Sequence, residues 1–237
     1  MKLTRTNKSI LSLVAGLSFA VSGYAQSTKN ISVSNFSGIT ISSGIDLYIN
    51  QTGTESVKLV GDNDLIESVV VEKEGNNIRI HYEEGFRWSS IFSKKTVKAY
   101  VTVKELKALT ASGGSDVYTQ NTIKSSQMDL RASGGSDIKM SLVCSDIKIQ
   151  SSGGSDIDLK GSAENMTLST SGGSDVNALG FPVNYAKVTA SGGSDANVYV
   201  NKALEASASG GSDVHYKGDA SYKKTSSSKS GDVTRIK

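Results

Sequence analysis

Six copies of Ser-Gly-Gly-Ser-Asp place carboxylates at Asp116, Asp137, Asp156, Asp175, Asp195 and Asp213. Aspartates set among Gly and Ser can chelate Ca2+, work as acid and base on a glycan, or accept hydrogen bonds from a tight turn. Calcium-binding β-rolls use Gly-Gly-x-Gly-x-Asp turns at a period of about nine. Here the copies begin at Ser112, Ser133, Ser152, Ser171, Ser191 and Ser209, so the period is about twice as long, and the Gly before the Asp is missing. A catalytic carboxylate pair needs two unlike environments to separate its pKa values, and equivalent repeats supply six similar ones. The expectation is therefore structural: Asp and Ser side chains bond the corner's own backbone amides while the glycines take positive φ. No catalytic, metal or cofactor-binding residue is assigned.

The remaining reactive side chains are few. His81 and His215 each lie in a strand-like alternation, and Gly-Gly-Ser-Asp lacks the strand-to-helix context of a nucleophile elbow. Cys144, the one cysteine, reads as a buried free thiol acting as a small hydrophobe. The segment from Phe86 to Phe92 holds the single Trp and lies beside Lys94 and Lys95. Phe86, Arg87, Trp88 and Phe92 are the candidate ligand-binding loop, for carbohydrate or protein. The competing reading is that this loop folds back to cover one end or side of the molecule.

What positions the aspartates is a repeat. A weaker copy, SKSGDV, begins at Ser228, one further period along. Such a period signals a solenoid, in which each unit buries its apolar face only by stacking on its neighbours. Three residues before the motif stand Leu109, Leu130, Ile149, Leu168, Val188 and Ala206; five residues after its first Ser stand Val117, Ile138, Ile157, Val176, Ala196 and Val214. With polar residues between, this is period-two alternation on two short strands joined at a Gly-Gly corner. In-register stacking would align Asp129, Lys148, Thr167, Lys187 and Glu205, and set Lys139 beside Asp158. Residues 106–237 are thus read as regular solenoid repeats of about 19–20 residues. Residues 26–105 are read as a less regular β part continuous with the stack, in which SSGIDLYI from Ser42 is a degenerate copy of SGGSDVYT.

Residues 1–25 read as a secretory signal peptide. Lys2, Arg5 and Lys8 precede an apolar stretch from Ile10 to Val21 and a small-residue cut site ending at Ala25. That stretch has 12 residues, against about 20 needed to span a bilayer. Without the three basic residues the chain has 23 Lys plus Arg and 23 Asp plus Glu, so its charge gives no support for nucleic-acid binding. The expected location is the periplasm, cell surface or extracellular space, with no transmembrane segment after cleavage.

The segments from Phe36 (FSGITISSGIDLYINQTGTESVKLVGDNDLIESVVVEKEGNNIRIHY) and from Lys98 (KAYVTVKELKALTASGGSDVY) resemble the putative auto-transporter adhesin, head GIN domain family of secreted bacterial proteins, common in Bacteroidetes. The resemblance runs from about Phe36 to Asp219. It implies an all-β, right-handed β-helical domain and carries no catalytic pattern. The expected function is a non-enzymatic adhesin or structural binding module of the cell envelope that presents polar ladders to a glycan or surface-protein ligand. The alternative is a carbohydrate-active β-helix enzyme, a lyase or hydrolase.

Overall fold

The computed structural model describes residues 26–86, 96–224 and 230–237. Among the described residues eighteen strands, β1 to β18 in chain order, join in one hydrogen-bonded sheet, with one short helix, α1 (Asn63–Glu67). Among the described residues no helix is long and apolar enough to cross a membrane.

The C-terminal half is the predicted stack. β12 (Asp137–Ser152), β13 (Asp156–Ser171), β14 (Asp175–Ser191) and β15 (Asp195–Ser209) each run from the Asp of one corner to the first Ser of the next. All four are parallel and in register, so Ile138 faces Ile157, Ile157 faces Val176, and Val176 faces Ala196. The column Leu109, Leu130, Ile149, Leu168, Val188 and Ala206 is buried throughout. Each large apolar side chain in such a column contributes about 1.5–3 kcal/mol by leaving water.

The alternation predicts two short strands per coil; in β13 and β14 the chain makes three inward runs. In β14 these are Val176 and Ala178, then Phe181 and Val183, then Ala186, Val188 and Ala190, all buried. The alternation slips phase between the runs, where a continuous strand bends, and only the first corner carries a Gly-Gly signal. The period-two alternation continues inward to the residue just before each motif: Ala111, Ala132, Ser151, Thr170, Ala190 and Ala208 are all buried. Each of these side chains is small. Ser151 and Thr170 satisfy their hydroxyls by donating to the carbonyls of Ser155 (3.1 Å) and Ser174 (3.0 Å).

The N-terminal half joins the same stack out of chain order. β2 (Gly38–Ile41) and β3 (Asp46–Gln51) form a coil around Ser42-Ser43-Gly44, so the degenerate copy at Ser42 is a true corner. On one side it pairs in parallel with β8 (Ala108–Ala111) and β9 (Val117–Thr119); on the other it pairs with β6 (Asn77–Tyr82) and β7 (Lys98–Val103). Beyond this coil the pairing turns antiparallel, β5 (Val69–Glu74) on β6, β4 (Ser56–Gly61) on β7, and β1 (Ser27–Ile31) on β4. This change of direction ends the parallel stack. α1 buries Leu65 and Ile66 at that end.

Entry into the first coil is held by Glu55. Its carboxylate accepts the amides of Asn35 (3.1 Å) and Phe36 (3.2 Å) and lies 3.2 Å from Lys104 Nζ. The Asn35 amide, with Lys104 and Phe36 assisting against burial, holds the Glu55 carboxyl below its usual range.

Candidate functional site

Register places the six motif aspartates in one row. Asp137 faces Asp156, then Asp175, Asp195 and Asp213 follow in turn. Asp116 aligns with Asp137 because the next residues, Val117 and Ile138, are partners. The row is longer than the motif count suggests: Asp46 precedes Leu47, the partner of Val117, and Asp232 faces Asp213. Both belong to the two degenerate copies, SSGID and SKSGD, which are the sequence signal for them. The row therefore holds eight carboxylates, spaced about 4.8 Å apart, where neighbouring unit charges repel by roughly 0.9 kcal/mol in water.

Serine, not aspartate, closes the corner. Ser136 Oγ accepts the Ser133 amide (3.2 Å) and donates to the Ser133 carbonyl (2.9 Å), and Ser194 and Ser212 repeat the arrangement. These serines are fully buried. The aspartates instead bond between coils: the amides of Asp195, Asp213 and Asp232 donate to Oδ1 of Asp175, Asp195 and Asp213, each at 3.3 Å. Aspartate points outward, so its nearest donors belong to the next rung, and part of the repulsion along the row is offset there.

Two residues after the aspartates a second outward row crosses both halves: Tyr100, Tyr48, Tyr118, Lys139, Asp158, Asn177, Asn197, His215 and Thr234. The three tyrosines stack, with ring centroids 5.0 Å and 5.3 Å apart. Lys58 lies over Tyr100 and Lys98 over Tyr48. Tyr118 donates its hydroxyl to Asp116 (3.3 Å). Lys139 does face Asp158, but the Asp158 carboxylate accepts from Asn177 Nδ2 (2.9 Å). A shallow groove of about 480 Å³ follows this row past Tyr118, Lys139, Met140, Asp158 and Lys160. Sequence reasoning misses the tyrosine row, because Tyr48 and Tyr100 are brought together by a chain that doubles back through β4 to β6.

On the opposite side of the corner the predicted charge ladder is in register from Asp129 to Glu205. Lys187 and Glu205 make an ion pair at 3.0 Å, whereas Asp129 binds Arg131 on its own strand. Exposed pairs of this kind are worth little in stability.

The nucleophile candidates stand apart from one another. His81 hydrogen-bonds the Tyr82 carbonyl through Nδ1 (2.8 Å) and has Glu72 3.7 Å from Nε2, and His215 lies between Asn197 and Thr234. Burial, then Asp146, pushes the Cys144 thiol up to about 11, which leaves no appreciable thiolate at neutral pH. Among the described residues no group of three or more His, Cys, Asp and Glu side chains is arranged to hold a metal ion. Of the candidate loop, Phe86 is partly buried against the core and stacks on Tyr82 at 4.2 Å, as the covering role would require. Arg87, Trp88 and Phe92 lie outside the described residues.

The family model for the putative auto-transporter adhesin, head GIN domain matches residues 35–220. The chain belongs to that family. Among solved structures, a putative adhesin from Bacteroides fragilis superposes with a TM-score of 0.82 at 20% identity, covering 90% of this chain and 98% of that one. A putative adhesin from Parabacteroides merdae gives 0.69 at 19% identity, covering 91% and 98%. A putative lipid binding protein from Parabacteroides distasonis gives 0.67 at 17% identity, with the same coverage. At such identities these neighbours show the fold alone. No curated protein matches it.

Proposed function

We propose that this head GIN domain protein is an exported, non-enzymatic binding module of the bacterial cell envelope that presents its outward rows to a glycan or surface protein. The observation that carries this reading is the in-register continuity of the two rows after the corner, the aspartates and the tyrosine-led row, across coils from both halves of the chain. A rigid row loses little entropy on binding and repeats the same contact at each rung, so weak contacts add. The adhesin family and the adhesin-named neighbours support the class, and the basic, apolar start at residues 1–25 supports export.

The test is a glycan and secreted-protein array with the mature chain. The expected result is retention of a defined ligand set, with affinity lowered tenfold or more by Asp156→Lys combined with Asp158→Lys, and unchanged by Asp64→Lys on α1. Cleavage of an arrayed glycan, seen as product by mass spectrometry, would establish the lyase or hydrolase reading instead.

A further inference from the structure

The aspartate row is not uniform along its length. At the joint between the β2–β3 coil and the regular solenoid, Asp46, Asp116 and Asp137 occupy consecutive rungs and form the longest half-buried run of the row, in which Asp195 and Asp213 are also half-buried and Asp156, Asp175 and Asp232 are exposed. The described charged and titratable groups around them are few. Lys98 on β7 faces Asp46; Tyr48 on β3 and Tyr118 on β9 stand two residues along; Lys139 lies two residues beyond Asp137 on β12; Asp156 and Asp158 come from β13. The cations thus flank this joint, and the middle rung, Asp116, has a carboxylate on either side.

The geometry points to an acid-sensitive joint: proton uptake by the carboxylates of Asp46 and Asp137, on either side of Asp116, tightens the union of the N-terminal coils with the C-terminal stack. Burial, then Asp116, raises the Asp46 carboxyl above its ordinary value of 3.8, against Lys98. Burial, then Asp116 and Asp156, raises Asp137 in the same direction, against the Asp156 amide and Lys139. A carboxyl whose folded pKa is raised binds more protons folded than unfolded between the two values. Its contribution to stability therefore grows as pH falls through the folded value and is lost as pH rises through it. This inference stands whatever the row binds, because it concerns the joint alone.

Two readouts on the mature chain test it. The first is carbon-detected NMR titration of the side-chain carboxyls, with and without chelator. The second is the melting temperature from pH 7 to pH 3.5 for wild type, Asp116→Asn and, as a control away from the row, Asp64→Asn. Asn keeps an oxygen for the Tyr118 hydroxyl while removing the central charge. Expected are midpoints for Asp46 and Asp137 above 3.8 that fall in Asp116→Asn. That variant should melt about 2–4 °C above wild type at pH 7, with the gap closing below pH 4. Midpoints unmoved by Asp116→Asn, or a variant less stable than wild type by the same margin at every pH, would overturn the inference. Raised midpoints seen only after chelation would also overturn it, by assigning the row to a bound cation.

Discussion

Leu168→Asp unfolds the C-terminal half of the solenoid, at a cost of about 3–5 kcal/mol. Leu168 is 1% exposed and lies in the inward column between Ile149 and Val188. The core is one coil wide, so a carboxylate there has no polar partner and no route to water, and its desolvation is uncompensated. One residue along, Ser169 points outward between Gln150 and Thr189. Ser169→Asp should cost under about 0.5 kcal/mol. Urea melts of the two variants separate the faces of the strand, and equal midpoints would mean that the inward and outward sets have been exchanged.

Gly161→Ala carries a comparable penalty for a different reason. Gly161 lies at a bend of β13 with φ of 123°, a region that side-chain-bearing residues rarely adopt. An added Cβ would run into the Leu142 carbonyl oxygen of the coil below, with the carbonyl carbon 2.8 Å away. Neither group can move without breaking the ladder between β12 and β13, so a loss of more than about 3 kcal/mol is expected. Gly173→Ala is the contrast. Gly173 has no positive φ and nothing within 4 Å of an added Cβ, so its variant should be neutral or stabilised by up to about 1 kcal/mol. Denaturant midpoints decide the matter: similar losses at both sites would contradict the stacking geometry.

The repeat half was legible because period-two alternation and a Gly-Gly punctuation mark report directly on burial and on backbone turning. Every column read from the spacing of Leu109, Leu130, Ile149, Leu168, Val188 and Ala206 is a column in the structure. The second bend carries a partial signal, since Gly161, Gly180 and Gly218 stand at one offset from the motif while the other copies have no Gly there; the third, around Asn184-Tyr185 in β14, has no recurring residue type and was not legible. The rows were half legible. Asp116 to Asp213 follow from equal spacing, whereas Tyr48 and Tyr118 are distant in sequence and one rung apart in space. Their adjacency depends on the β2–β3 coil being inserted between β6–β7 and β8–β9, an order that no local pattern encodes. The hydrogen bonds of the corner depart in part from the sequence expectation. Residue type identifies which side chains can cap a turn, and the inward or outward phase decides that serine does so while aspartate bonds the next rung.

Electron–electron distances along one outward row test the in-register account most directly. Thr40, Thr110, Arg131, Gln150, Ser169, Thr189 and Ser207 are successive partners. With Cys144 replaced by Ala, nitroxide labels at Thr40 and Ser207 span six rungs, about 29 Å, and labels at Thr110 and Ser207 span five, about 24 Å, at 4.8 Å per rung. The account predicts two narrow distributions whose centres differ by one rung, although all of β3 to β7 lies between Thr40 and Thr110 along the chain. A broad Thr40–Ser207 distribution, or one centred more than a rung from its expected distance while Thr110–Ser207 keeps its own, would contradict a single continuous stack.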